Sequence, residues 1–276
     1  MNYGSLLEFR PLLCRLHWRN SGTRTVIHAL ALLTILILTS PLRAQAEPGH
    51  TLSLRSGLQL VLARDELLVP LSHSGVGVSL GLAYAQSTTH SSWNAHLDLG
   101  FTPMWNSYGH IAADLNHHLL LSYARSLPPA RHWRLGAALL SDARINYFYK
   151  WDDAHAYWVN AQMLGLSLLY RAPQVRRTQL ELAAHIGLLG IHQRPAAYRY
   201  HTQEAVNTMA YYLLEPYKQP QFAWLGTLQS IDIEITQRRP QRRWSFTQIV
   251  QLLRADRPLH ATNISVAFLA NREWQW

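Results

Sequence analysis

The sequence predicts an all-β chain: an antiparallel up-and-down transmembrane β-barrel of about ten strands, with eight or twelve as the alternatives. Three observations carry this. Segment after segment alternates apolar and polar residues with a period of two. The connections between those segments alternate long and short. Aromatic residues gather at the short-connection ends, in phase with the apolar faces.

The chain has 276 residues, and residues 1–46 stand apart from the rest. Val26 to Thr39 is an apolar run preceded by Arg24 and followed by Ala44-Gln45-Ala46. A charged start, a short apolar stretch and an A-x-A site read as a secretory signal peptide cleaved after Ala46. The run is shorter than the roughly 20 apolar residues a membrane-spanning helix needs. Residues 1–46 are therefore read as an N-terminal extension with signal peptide, and residues 47–276 as the barrel. The single cysteine, Cys14, lies before the apolar run, so no disulfide is expected in the exported part. Charged residues make up only 15% of the chain against 48% hydrophobic, whereas a soluble domain carries roughly 25% charge. The net charge is +9, and residues 1–46 hold five Arg and one Glu of it. The remaining excess is almost all arginine and falls in turns, so nucleic acid is not an expected partner.

The first strand runs through Leu52, Leu54, Leu58 and Leu60. The second sets Val76, Val78, Leu80, Leu82 and Tyr84 against Gly75, Gly77, Ser79, Gly81 and Ala83, leaving room inside for large neighbours. The third opposes Trp93, Leu97, Leu99 and Phe101 to His96 and Asp98. The fourth opposes Leu115, Leu119, Leu121 and Tyr123 to His118 and Ser122. The fifth begins at Trp133, Leu135 and Leu139, and the sixth ends at Leu166, Leu168 and Tyr170. The seventh alternates Leu180, Leu182 and Ile186 with Glu181 and His185. The eighth alternates Ile231, Ile233 and Ile235 with Asp232 and Glu234. The ninth sets Trp244, Phe246, Val250 and Leu252 against Arg243, Ser245 and Thr247. The tenth, Thr262 to Trp276, alternates Ile264, Val266 and Phe268 with Ser265 and Asn271, then finishes on Trp274-Gln275-Trp276.

Between strands, the long connections are 63–74, 102–110, 142–157 and 191–221, with 255–260 of middling length. The short ones lie around 88–90, 127–130, 172–174 and 239–241. Tyr84, Trp93, Tyr123, Trp133, Tyr170, Trp244 and Trp276 mark the short side, as a girdle at one membrane interface.

This pattern, with an alternating strand that ends on a terminal aromatic, resembles bacterial outer-membrane β-barrel proteins as a class. The resemblance implies a Gram-negative outer membrane reached by Sec-type export, with short periplasmic turns and extracellular loops 142–157 and 191–221. It also implies lipid, lipopolysaccharide and the outer-membrane assembly machinery as partners. No narrower family motif is present. Strand number and protruding hairpins also match the omptin family of outer-membrane proteases, without an alignable catalytic motif.

Candidate chemistry lies on the inward faces. Facing Trp93 with Tyr123 puts Asp98 opposite His118, a pair that would orient an imidazole or satisfy two buried polar groups. A second group, Glu181, Asp232, Glu234 and Arg243 with Arg134 near, reads as a salt-bridged plug or a selectivity ring. At the outer rim lie Asp152, Asp153, His155, His192, His201, Asp256 and His260. They carry the alternative of a rim enzyme. The absence of G-x-S-x-G argues against lipase chemistry. Histidine spacing suggests no metal site, and no cofactor is expected. The leading expectation is a non-enzymatic barrel of structural, ligand-binding or narrow solute-passage type. A soluble exported barrel or sandwich that binds an apolar ligand is a further alternative.

Overall fold

A computed structural model describes residues 49–65, 69–128, 132–148, 155–173, 178–194, 221–239, 243–256 and 260–275. Residues 1–48, including the expected cleavage site with Ala44 and Ala46, and the terminal Trp276 lie outside the described residues.

The described chain is all strand: β1 (Gly49–Asp65), β2 (Val69–Ser87), β3 (Ser91–Trp105), β4 (Ile111–Ser126), β5 (Trp133–Phe148), β6 (His155–Arg171), β7 (Gln179–Gln193), β8 (Gln221–Trp224), β9 (Leu228–Arg239), β10 (Trp244–Ala255) and β11 (Ala261–Gln275). From β1 to β7, and from β9 to β11, each strand pairs antiparallel with the next. The sheet closes through β1 and β11, which pair from Thr51↔Gln275 to Asp65↔Ala261. β8 is an extra strand rather than an eleventh stave. β7 pairs first with β9, over Gln179–Ile186, and then with β8, over Leu189–His192. The two short partners share one place in the wall, so the barrel has ten positions. The turn Leu225-Gly226-Thr227 separates them.

Closure explains why so many apolar side chains remain in the open. Leu58, Leu80, Leu99, Leu164 and Phe246 are each about half exposed or more on the outer face. The odd-numbered residues of β1 and the small face of β2 turn inward, and Ser53, Arg55, Gln59, Val61, Gly75, Gly77 and Ser79 among them are buried. With the barrel closed through β1–β11 and β6–β7, the ten-position wall avoids the long open edge of free N–H and C=O groups that an apolar medium would not tolerate.

The strands run further than the sequence alternation suggested. The stretch 63–74 is mostly strand, leaving 66–68 as the connection, and 106–110 and 256–260 are the connections at two more hairpins. At the opposite end the chain leaves and re-enters the wall between Ser87 and Ser91, Ser126 and Trp133, Arg171 and Gln179, and Arg239 and Trp244. The lengths between strands therefore do not alternate as expected. β5 continues to Phe148 and β6 resumes at His155, so residues 142–147 belong to the wall rather than to a loop. In the same way 191–193 belongs to β7, and 221 begins β8. Residues 195–220 lie outside the described residues.

At the turn end, aromatic residues of neighbouring strands pack in pairs. Trp93 packs on Tyr123 across β3 and β4, with ring centroids 4.8 Å apart. Trp133 packs on Tyr170 across β5 and β6 at 4.7 Å. Tyr170 departs from the expected half-wet position: it is covered, with only 6% exposed. Tyr84 is half-buried and meets His50 Nδ1 through its hydroxyl at 2.8 Å.

Candidate functional site

The inward faces meet in the middle of the barrel, and their charges pair across it. Arg55 on β1 is 2% exposed. Its guanidinium reaches Asp98 on β3 at 3.4 Å and Glu234 on β9 at 3.6 Å. Arg55, Gly81 and Asp98 stand in one row across β1, β2 and β3. Gly81 makes the reach possible, because a Cβ there would collide with the Asp98 carboxylate. Gly77 does the same one step on: Gln59 Nε2 donates across it to Thr102 Oγ1 at 2.7 Å, and a Cβ on Gly77 would meet that hydroxyl. The small face of β2 is thus a shelf over which long side chains of β1 join β3.

His118 on β4 lies at the centre of a second group. Its Nδ1 is 2.6 Å from Asp142 Oδ1 on β5, and its Nε2 is 3.1 Å from Asp232 Oδ2 on the far wall. Ser230 Oγ of β9 donates to the other Asp142 oxygen at 2.9 Å. His185 stands opposite Asp232 in the β7–β9 register, and the His96 ring lies 5.3 Å from that of His118. His96 in turn faces Glu234 at 3.9 Å and Asp98 at 4.0 Å. Both His118 contacts are charge-assisted only when the ring carries two protons.

A third tie crosses from β5 to β11. Arg144 meets Asp114 at 3.4 Å and donates from Nη2 to Ser265 Oγ at 2.8 Å. Alongside these charges, an apolar cluster that includes Leu120, Leu140, Met163, Leu228 and Leu253 fills the interior between β4–β6 and β8–β10. The turn end is tied as well. Arg134 donates to the carbonyl oxygens of Ser91 and Thr88, at 2.8 and 2.9 Å. Arg171 pairs with Glu181 at 2.7 Å and donates to Ser87 Oγ at 3.0 Å, while Arg238 pairs with Glu273 at 3.0 Å. Between these groups lies a cavity of about 70 Å³, lined by Arg55, His96, Glu181, Glu234, Arg238 and Glu273 among others. That is room for a few water molecules.

The sequence expectations meet this geometry unevenly. Asp98 and His118 do stand opposite each other in register. Their polar contacts go elsewhere, Asp98 to Arg55 and His118 to Asp142 and Asp232. Glu181, Asp232 and Glu234 line the interior, and Arg134 is buried. Arg243 does not join them: it sits exposed in the turn before β10, so its place in the acidic group is corrected. Arg134 spends its hydrogen bonds on backbone carbonyls of the β2–β3 turn rather than on those acids. Arg55, Asp142, Arg144 and Ser230 were not foreseen, and His96 and Asp114, inward by alternation, were assigned to neither charged group. Arg55 had a readable signal, its phase with Ser53 and Gln59 on the first strand. Asp142 and Arg144 were hidden by being read as loop.

At the opposite rim, Asp256 accepts from Arg254 Nε at 3.2 Å and lies 2.9 Å from His260 Nδ1. Slight burial pushes the Asp256 carboxyl up, but these two partners outweigh it and hold it below the usual carboxylate range. His192 is buried and does not belong to that rim pair. Asp152, Asp153, His201 and the side chain of His155 lie outside the described residues. Among the described residues, no group of three or more His, Cys, Asp or Glu is arranged to hold a metal ion.

No protein-family model matches the chain, and no curated protein does. Solved structures do. The translocator domain of the autotransporter NalP from Neisseria meningitidis is 10% identical, covers 91% of this chain and 97% of its own, and has a TM-score of 0.42. The outer-membrane protease OmpT from Escherichia coli is 7% identical, with 83% and 97% covered and a TM-score of 0.40. An outer-membrane channel from Pseudomonas putida F1 is 10% identical, with 84% and 97% covered and a TM-score of 0.36. The chain resembles bacterial outer-membrane β-barrels as a class.

Proposed function

We propose that this chain is an outer-membrane barrel of structural or surface-binding type, with a lumen sealed by its own side chains. The observation that carries the reading is an inversion of the usual distribution. Leucine, valine and phenylalanine cover the outside, while buried Arg55, His118 and Arg144 hold acids and hydroxyls on other strands of the inside. An apolar exterior of this extent suits lipid, not water. A charged, filled interior does not suit an apolar ligand, which disfavours the soluble alternative. It also disfavours an open pore, since ten strands enclose little more than side chains can fill.

In this reading the turn end, with Trp93, Trp133 and Trp244, faces the periplasm. The opposite end, with the connections 149–154 and 194–220, faces outward. Function then resides in that outer rim and not in passage. A rim enzyme stays the second class of reading, without a supporting constellation among the described residues.

Two measurements test the proposal together. The mature chain should fractionate with the outer membrane and shift its gel mobility when boiled. In planar bilayers the purified barrel should give no conductance steps. Recovery as a soluble periplasmic protein would sink the membrane reading; steady ion-conducting steps would sink the sealed lumen.

A further inference from the structure

The outer face carries a hollow where the barrel closes. Ser56 of β1 and Ala270 of β11 pair in register and both point outward, giving a floor of small side chains. Leu58, Phe246, Phe268, Ile235 and Leu180 rise around it, and the hollow measures about 570 Å³. That lies within the roughly 300–1,000 Å³ of small-molecule pockets. Gln237 and Gln248 place side-chain amides in its otherwise apolar lining. An amide facing hydrocarbon is costly unless a partner meets it.

Directly below, toward the turn end, lies a row of different chemistry. Arg239, Trp244 and Arg272 pair in register across β9, β10 and β11. Each is two residues beyond an outward-facing hollow-lining residue on its own strand: Gln237, Phe246 and Ala270. The Arg272 guanidinium lies 5.1 Å from the centre of the Trp244 ring, the geometry of a cation–π contact. Neighbouring Arg238 is committed inward to Glu273. No carboxylate is within ion-pair distance of Arg239 or Arg272 among the described residues. An apolar hollow ending on two cations and an indole has the order of a phospholipid: chain, ester, phosphate.

We infer that this face is a binding site for one anionic glycerophospholipid of the turn-end leaflet. An acyl chain lies over Ser56 and Ala270 toward Gln248, the Gln237 amide donates to an ester carbonyl oxygen, and the phosphate meets Arg239 and Arg272. The inference rests on the membrane reading above. It goes beyond general lipid contact, because it names one place and one headgroup charge.

The full mature chain is refolded into phosphatidylcholine vesicles containing a minority of phosphatidylglycerol, extracted in mild detergent, and weighed by native mass spectrometry. The wild type should keep phosphatidylglycerol in preference to phosphatidylcholine. Arg239→Gln with Arg272→Gln should lower that retention by about tenfold or more, the scale of losing two interfacial arginines. Ser56→Phe with Ala270→Leu fills the hollow and keeps both cations, and should lower it as well. Equal retention in all three proteins overturns the site. So does full retention by the filled variant, which would mean phosphate attraction alone, or displacement of the lipid by soluble glycerol phosphate. Heat-shifted mobility is read on every sample. A chain that never enters the vesicles overturns the membrane reading and this site with it, whereas one that enters and holds no phosphatidylglycerol overturns only the site.

Discussion

A single arginine shows how much this barrel depends on exact side-chain lengths. Arg55 is the cation between Asp98 and Glu234, and Gly81 is the gap through which it reaches the first of them. Removing one partner of a buried ion pair leaves an uncompensated charge, at a cost of about 3–5 kcal/mol. Arg55→Met should therefore lose stability on that scale, read as a lower urea midpoint for the detergent-solubilised barrel. Gly81→Ala should cost roughly 1–3 kcal/mol by pushing the Asp98 carboxylate aside. If the arginine variant unfolds at the wild-type urea concentration, the pairing across β2 is a surface-like contact and the central argument fails. Both effects were half legible beforehand. The run of small residues on the second strand announced a space, but not which side chain enters it.

At the scale of the strand, the alternation identifies faces well and ends poorly. On β2 the outward set Val76, Val78, Leu80 and Leu82 is about half exposed, and inward Gly75 and Gly77 are buried, as period two requires. On β5 the pattern fades after Leu139 because small Ser141 and Ala143 take outward positions, and residues 142–147 looked like loop. Their polar members, Asp142, Arg144 and Asn146, are buried wall residues facing the lumen. The short strand β8 had no signal of its own, since only pairing with β7 makes it a strand. The exposed face offers a test of its solvent. Leu80 is 59% exposed, so Leu80→Arg would be close to neutral in water. Near the bilayer midplane the same change should cost roughly 2–4 kcal/mol. Measured as folding free energy in lipid vesicles, a neutral result would remove lipid from the outer face.

For the molecule as a whole, the sequence could supply the wall but not the connections through it. Period two says that Asp232 and His118 point inward; it does not say that β4 and β9 meet across the lumen, because that follows from strand count, tilt and closure. The Asp98–His118 expectation failed as a contact for this reason. It used the register of adjacent strands, which is correct, and missed the stronger partners arriving from β1, β5 and β9. The same reasoning yields a test of whether the interior is dry. A solvated ion pair couples by about 1 kcal/mol or less, and a buried one by up to roughly 3. A double-mutant cycle on His118→Ala and Asp232→Ala, measured by urea unfolding in vesicles, should give a coupling toward the upper figure. The two residues sit on non-adjacent strands, so no ladder contact contributes to it. A coupling near zero would mean that water runs between the walls. The absence of conductance would then need a block elsewhere, and the apolar cluster around Leu140, Met163 and Leu228 would be where to look for it.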